Sequence, residues 1–540
     1  MSDGQPSEVG AKSCLMLGCH TLGIRLLQGV PALLMLALAP LITGCVSLPS
    51  LEGRTETSAL LDTQGTRLGR SLAPLAAANP GKSGIHALAE PHDAFAARAL
   101  LAAAAERSLD VQYYIWHGDQ TGYLLFEALW QAAERGVRVR LLLDDNSTRG
   151  LDATIAMLDA HPNIEVRLYN PMVHRGARGL DFLTDFTRVN RRMHNKSFTA
   201  DNQATIVGGR NIGNEYFGAG TGVAFRDLDV IAVGAVVREV SNAFDLYWNS
   251  ASAYPAALLV GSAGQDATAS LRARFGAARE DPVSASYLQA LRNTTLVREL
   301  LEGGLAFEWT AAQLFRDDPA KTLDTTDRTD VLLLSALLKA VGSFNTSFDL
   351  VSPYLVPGED GTQALAALAG RGVQIRILTN SAAATDVGAV HAGYAKRRED
   401  LLRAGIRLYE LKPSAAEREP EEKETTGGSS GASLHAKTFA IDRTRIFVGS
   451  FNFDARSARL NTEMGLLIDS PALAARLAAS FASDIPNGSY EVRRDAVSGN
   501  LEWIERTHAG EKRFTSEPGI GILSRMWLGF ISILPIEWLL

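Results

Sequence analysis

A polar pattern that occurs twice in one chain at identical internal spacing forces the two copies into equivalent structural settings. His194-x-Lys196-x4-Asp201-x6-Gly208-Gly209-x-Asn211 is answered by His435-x-Lys437-x4-Asp442-x6-Gly449-Ser450-x-Asn452. Each copy runs into an apolar, strand-like stretch, Ser197–Ala200 and Thr438–Ile441. In a strand, residues i and i+2 share a face, so each His points the same way as its Lys. Two such elements facing each other would bring two imidazoles, two ammonium groups and two amides to one point. That is a site for an anion, most simply a phosphodiester.

The repeat reaches well beyond the motifs, as symmetry of architecture should. Ser108–Ile115 matches Ser347–Tyr354, and both read as strands. Helical stretches follow at Leu124–Glu134 and Gln363–Gly370. Arg135-Gly136-Val137 and Arg371-Gly372-Val373 then read as a helix stopped by glycine and feeding a strand. Val166–Tyr169 and Ile406–Tyr409 supply a further matched pair. The fold class is therefore α/β, with two pseudo-symmetric α-β-α halves packed face to face. Each half carries a largely parallel or mixed sheet, and the active site is expected where they meet.

At 540 residues there is room for two domains and appendages, and 46% hydrophobic with 21% charged residues is globular composition. The expected layout is a signal over 1–45, a flexible tether over 46–84, a first domain over 85–252 and a connector over 253–335. A second domain over 336–484 and a C-terminal extension over 485–540 complete it. The net charge of −7 gives no general basic surface, which speaks against a nucleic-acid binder. Arg188, Arg191 and Arg192 form a local basic cluster that either serves a phosphate or is simply solvated.

All 3 cysteines, Cys14, Cys19 and Cys45, lie in the leader, so the two domains hold no disulfide, thiolate metal site or Cys nucleophile. The uncharged run Val30–Thr43, ending Leu41-Ile42-Thr43-Gly44-Cys45, resembles a bacterial lipoprotein signal, which would make Cys45 the acylated first residue. Initiation at Met16 would leave a more ordinary signal with Arg25 as its basic residue. The alternative is an uncleaved anchor at the inner membrane. Either way the chain is attached to a membrane; the first route exports the catalytic halves, and Val46 after Cys45 does not favour retention at the inner membrane. Lys412–Ser433 is acidic and then Gly/Ser-rich, either a lid before His435 or a plain insertion. The tail Gly519–Leu540 is apolar but broken by Arg525, Pro535 and Glu537, which fits an in-plane membrane helix or a core-packing segment rather than a span.

The duplicated His-x-Lys-x4-Asp pattern resembles the phospholipase D superfamily. The strings Arg192–Phe198, Gly208–Phe217, Ser433–Phe439 and Asn461–Glu463 are similar to those of bacterial cardiolipin synthases, and the terminal Leu534–Leu540 to their C-type branch. The similarity covers roughly residues 85–540. It implies phospholipid substrates, phosphatidylglycerol and in some cases phosphatidylethanolamine, a membrane surface as partner, and no nucleic acid. It also implies that His194 is the nucleophile, forming a phosphohistidine, while His435 protonates the leaving alcohol and then deprotonates the acceptor; the symmetry alone permits the reverse.

The residue types suit that chemistry. Phosphodiester transfer needs a nucleophile, an acid for the alkoxide and positive charge around the equatorial oxygens. Lys196, Lys437, Asn211 and Asn452 are the candidates for holding those oxygens. With four such donors no metal or other cofactor is expected, and the sequence offers no carboxylate–histidine cluster to bind a metal. A neutral nucleophilic imidazole needs its second nitrogen held by an acceptor, and Asp227 and Glu463, at analogous places in strand-like runs, are the candidates. Asp201 and Asp442 stand at strand ends, where an Asx turn or internal ion pair is the ordinary use. Gly208-Gly209 and Gly449-Ser450 point to close backbone approach, with Ser450 adding a hydroxyl that Gly209 cannot. His117 is either a pocket residue or a solvated loop residue. With water as acceptor the same residues would make a phospholipase D or another phosphodiesterase, a nuclease included; a non-catalytic lipid-binding scaffold is disfavoured by two intact motifs.

Overall fold

The computed structural model describes residues 47–540 except 220–224, 265, 297–298, 300–303, 324–331, 414–432, 508 and 535. The leader with Cys45 and nearly all of the acidic, Gly/Ser-rich segment therefore lie outside the described residues. Ser50–Leu540 form one compact unit.

Among the described residues two large mixed sheets form, of nine and ten strands. In the first, Ser108–Ile115 runs parallel to Arg138–Ser147 and that to Ile164–Tyr169. On its other side it is antiparallel to Ser197–Ala200, which leads on to Ala204–Gly208 and Asp229–Gly234. The second sheet repeats this arrangement. Ser347–Val351, Gln374–Asn380 and Arg407–Leu411 are parallel, and Lys437–Ile441, Arg445–Gly449 and Met464–Ile468 continue antiparallel. Helices Gln120–Glu134 and Gly358–Gly370 make the first parallel crossovers, longer at their N-termini than the sequence pattern marks.

Two polar devices are duplicated with the strands. Asp110 pairs with its register neighbour Arg140 at 2.7 Å, and Asp349 with Arg376 at 2.6 and 2.7 Å. Asp201 and Asp442, both at positive φ, each receive three consecutive backbone N–H groups, from Glu106–Ser108 and Asn345–Ser347. They tie the turn after each motif strand to the start of its neighbour. An apolar layer joins the halves: Val207, Val230 and Ala232 of the first sheet pack on Ile446, Val448 and Leu466 of the second.

The appendages are integral to these sheets. Arg54 donates to Ser250 O and Asn249 O at 2.6 Å and to Ala253 O at 2.8 Å, and Arg67–Ala77 is a helix, so residues 50–84 are fastened down rather than a free tether. The connector gives one edge strand to each sheet, Glu308–Thr310 and Ala312–Arg316. Beyond 485, Ser489–Arg494, Leu501–Thr507 and Gly510–Phe514 extend the second sheet. Edge backbone groups without partners are costly, and these segments supply them.

The tail forms a helix, Ile522–Ile533, whose Leu523, Met526, Trp527, Phe530 and Ile533 stay exposed along one stripe. It is not packed into a core. No described helix is long and apolar enough to cross a membrane.

Candidate active site

Each motif histidine precedes a strand that is antiparallel to the central strand of its half. His194 and His435 therefore lie at the edge where Ser108–Ile115 and Ser347–Val351 end. The two edges are stitched to each other. His194 N donates to Thr462 O (2.8 Å) and Thr462 N to Arg192 O (2.9 Å). On the pseudo-equivalent side, Ser433–Leu434 pairs with Phe225–Arg226, and His435 N donates to Arg226 O (2.8 Å).

Thr462 and Arg226 are the residues just before the two candidate carboxylates, so this stitching crosses the side chains as well. His194 Nδ1 lies 2.8 Å from Glu463 Oε2, and His435 Nδ1 lies 2.6 Å from Asp227 Oδ2. Each half's histidine is oriented by the other half's carboxylate. With Nδ1 so engaged, Nε2 of each ring is left to face the cleft. Lys196 Nζ donates to His194 O (2.6 Å) and Lys437 Nζ to His435 O (2.5 Å), which leaves each ammonium two further N–H bonds. All six of these side chains are buried.

Electrostatics separates the two halves. Burial, reinforced by Lys196, Lys437 and the other ring, holds His194 well below its ordinary pKa. His435 is also lowered by burial and Lys437, but Asp227 opposes this. Burial raises Asp227 too, yet the His435 ring beside it outweighs that and brings the carboxyl below its usual range. Glu463 is pushed up by burial to about 7 despite Lys196 and the hydroxyls of Ser450 and Ser457. Burial lowers Lys437 to about 8 and Lys196 well below its usual value, Lys437 adding to the second shift. Burial and the neighbouring ammonium groups thus both disfavour positive charge here, and a phosphodiester anion between the rings would favour it.

The glycine–serine difference follows the carboxylates. A Cβ on Gly209 would stand 2.2 Å from Asp227 Oδ1, so only glycine fits there. Ser450 instead donates to Glu463 Oε2, and Ser457 to Oε1 at 2.8 Å. Asn211 uses Oδ1 for Ile115 N (3.1 Å) and one Nδ2 hydrogen for Tyr216 Oη (3.0 Å), keeping one donor. Asn452 Oδ1 is buried with no partner among the described residues.

Sequence reasoning missed several groups. Tyr114 stands edge-on to His194 (4.9 Å between ring centroids), Tyr216 edge-on to His435 (5.1 Å), and Phe225 stacks on His435 (5.1 Å). Ser457 and Asp317, which accepts from Glu463 N at 2.8 Å, support the first His–carboxylate pair. Nothing in an unaligned sequence marks such residues. The arginine cluster is absorbed structurally: Arg192 by Asp144 (2.6 Å), Arg188 by Asp185 (2.5 Å), and Arg191 in a bond to Lys321 O (2.9 Å). His117 is half-exposed and pairs with Glu215 (3.1 Å). With Asp119 these form a carboxylate–histidine group that the sequence did not reveal, although Asp119 already accepts from Gly122 N and Asn214 N.

The family model described as "Cardiolipin synthase, PLD-like domain" matches residues 99–248 and 337–485, one match on each half. The chain belongs to this phospholipase D-like family. It is 46% identical over 476 residues to cardiolipin synthase C of Escherichia coli (strain K12), covering 88% of this chain and 100% of that one. Cardiolipin synthase A of Pseudomonas syringae is 26% identical, over 67% of this chain and 60% of its own length. Phosphatidylserine synthase of Haemophilus influenzae superposes with a TM-score of 0.49 at 14% identity, covering 80% of this chain and 92% of that one.

Proposed function

We propose that this protein is a phosphatidyltransferase that makes cardiolipin at a membrane surface, passing a phosphatidyl group from one phospholipid to the head-group hydroxyl of phosphatidylglycerol. The observation that carries the reading is the pair of crossed His–carboxylate contacts beside two buried ammonium groups. The close relation to a cardiolipin synthase supports the lipid assignment.

In the first step His194 Nε2 attacks phosphorus and forms the P–N bond, while Nδ1–H is held by Glu463. The P–O bond to the head group breaks, and the departing oxygen takes the proton of His435 Nε2. His435 is the better proton carrier because its partner Asp227 stays ionised, whereas Glu463 titrates near neutrality. In the second step the acceptor hydroxyl gives its proton to His435 Nε2 and attacks phosphorus, and the P–N bond breaks. Lys196, Lys437, Asn452 and the free Asn211 hydrogen face the phosphoryl oxygens. The buried setting keeps water from competing with the acceptor. The donor is phosphatidylglycerol or phosphatidylethanolamine. The apolar stripe of the Ile522–Ile533 helix meets the bilayer in its plane, and acylation at Cys45 adds a second attachment.

Purified protein incubated with phosphatidylglycerol vesicles should yield cardiolipin and glycerol. Phosphatidic acid without cardiolipin would refute the synthase reading. His194→Ala and His435→Ala should each abolish turnover, and His194→Ala should also eliminate any acid-labile phosphoenzyme.

A further inference from the structure

On the reading above, the head group leaves, and the acceptor arrives, on the His435 side. That side is built differently from the other. Asn380, the last residue of its strand, clamps Leu434 through Nδ2 to Leu434 O (3.1 Å) and through Oδ1 from Leu434 N (2.9 Å). The chain leaving Asn380 therefore rises directly beside His435. It turns through Ser381–Thr385 and presents Asp386, an exposed carboxylate.

Asp386 is fixed in place: its Oδ2 accepts from Tyr354 Oη at 2.8 Å. Tyr354 is anchored in turn beside Asn452. Ser352 Oγ donates to Tyr354 O (2.6 Å) and accepts from Phe453 N (3.1 Å). Tyr354 thus ties Asp386 to the loop that carries Phe453, the residue after Asn452. No described Lys or Arg is in ion-pair contact with Asp386, and Oδ1 has no protein partner among the described residues. In the first half Asp144 stands where Asn380 stands, and it is consumed by Arg192 and by Met193 N (2.8 Å). Asp386 is felt within the site, since it helps to keep Lys437 protonated, against burial.

We infer that Asp386, steered by Tyr354, selects the alcohol by accepting a hydrogen bond or ion pair from a donor on the carbon next to the ester-bearing carbon. A glycerol head group carries a hydroxyl there and an ethanolamine head group an ammonium; a simple alkyl alcohol carries neither. The inference rests on the phosphatidyl-transfer reading and names a specificity residue for it. Tyr354 acts as a positioning residue through Asp386.

Full-length wild type, Asp386→Ala, Asp386→Asn and Tyr354→Phe should be compared on phosphatidylglycerol, phosphatidylethanolamine and phosphatidylpropanol in mixed vesicles. Consumption of donor lipid is followed, whatever the acceptor. Wild type should prefer the two donor-bearing head groups. Asp386→Ala should lower kcat/KM for these roughly ten- to hundredfold more than for phosphatidylpropanol, over any loss through Lys437 that is common to all three. Asp386→Asn should spare phosphatidylglycerol more than phosphatidylethanolamine, because an amide oxygen serves a hydroxyl but not an ammonium. Tyr354→Phe should raise KM with the same selectivity and a smaller loss. Equal loss on all three lipids, or no loss on any, overturns the selection role alone. A wild type that consumes none of the three overturns the phosphatidyl-transfer reading beneath it.

Discussion

Burial holds the Glu463 carboxyl up at about 7 and brings the Lys437 ammonium down to about 8. Both must be charged for turnover: Glu463 to accept Nδ1–H of His194, Lys437 to meet the phosphoryl oxygens. As pH falls through 7, Glu463 takes a proton and the tautomer is no longer held; as pH rises through 8, Lys437 loses its charge. kcat/KM, which reports the free enzyme, should therefore follow a bell with limbs near these values, measured by steady-state turnover. A profile flat from about pH 6 to about pH 9 would contradict the assignment. Glu463→Gln should remove the acidic limb and lower kcat by roughly 10³–10⁴. Lys437→Met should cost about 10²–10³ and remove the alkaline limb. The motif residues were legible in the sequence because strand period aligns His with Lys and repetition multiplies the signal. The ordinary structural use of Asp201 and Asp442 was legible from their strand-end positions. Tyr216 was not, because it meets His435 only through packing of distant chain, and Ser457 was not, because a helical serine six residues before Glu463 carries no pattern of its own.

Among elements, Ile522–Ile533 exposes its apolar stripe to solvent, with Trp527 at 61% and Phe530 at 56% exposure. Such a stripe on a compact unit is stable when it meets an apolar phase. In a chain started at Ser50, Trp527→Glu with Phe530→Glu should lower vesicle binding by about a hundredfold or more, from roughly 1.5–3 kcal/mol per ring. Vesicle sedimentation measures this, and the far-UV signal and melting temperature should stay nearly unchanged, since both rings are mostly exposed and stack on each other. The sequence marked this segment as apolar and interrupted but could not say which way its stripe faced. It also read 46–84 as a tether and 253–335 as a connector with a short helix and a strand-like piece at Leu305–Trp309. Their roles as a clamp and as edge strands depend on backbone partners in other parts of the fold, which composition does not encode.

At the scale of the molecule, the layer of Val207, Val230, Ile446, Val448 and Leu466 carries the alignment of the two halves. Leu466→Ala should destabilise the protein by about 2–5 kcal/mol, read as a lower denaturation midpoint. Activity should fall already below that midpoint, because the His194–Glu463 and His435–Asp227 contacts both cross this interface. A stable Leu466→Ala protein with full activity would show that the layer does not set the alignment.

The sequence by itself determined that there are two equivalent α/β halves, where the His, Lys and Asn of each stand, and that two carboxylates wait at matched positions. Local period and repetition carry that information. Only the tertiary structure decided that the carboxylates are exchanged between halves, that one is pushed up to about 7 while the other is held below its usual range, and that Asp386 is held by Tyr354. A strand fixes which residues share a face, but the element opposite that face, and the water it excludes, are set by packing between segments hundreds of residues apart.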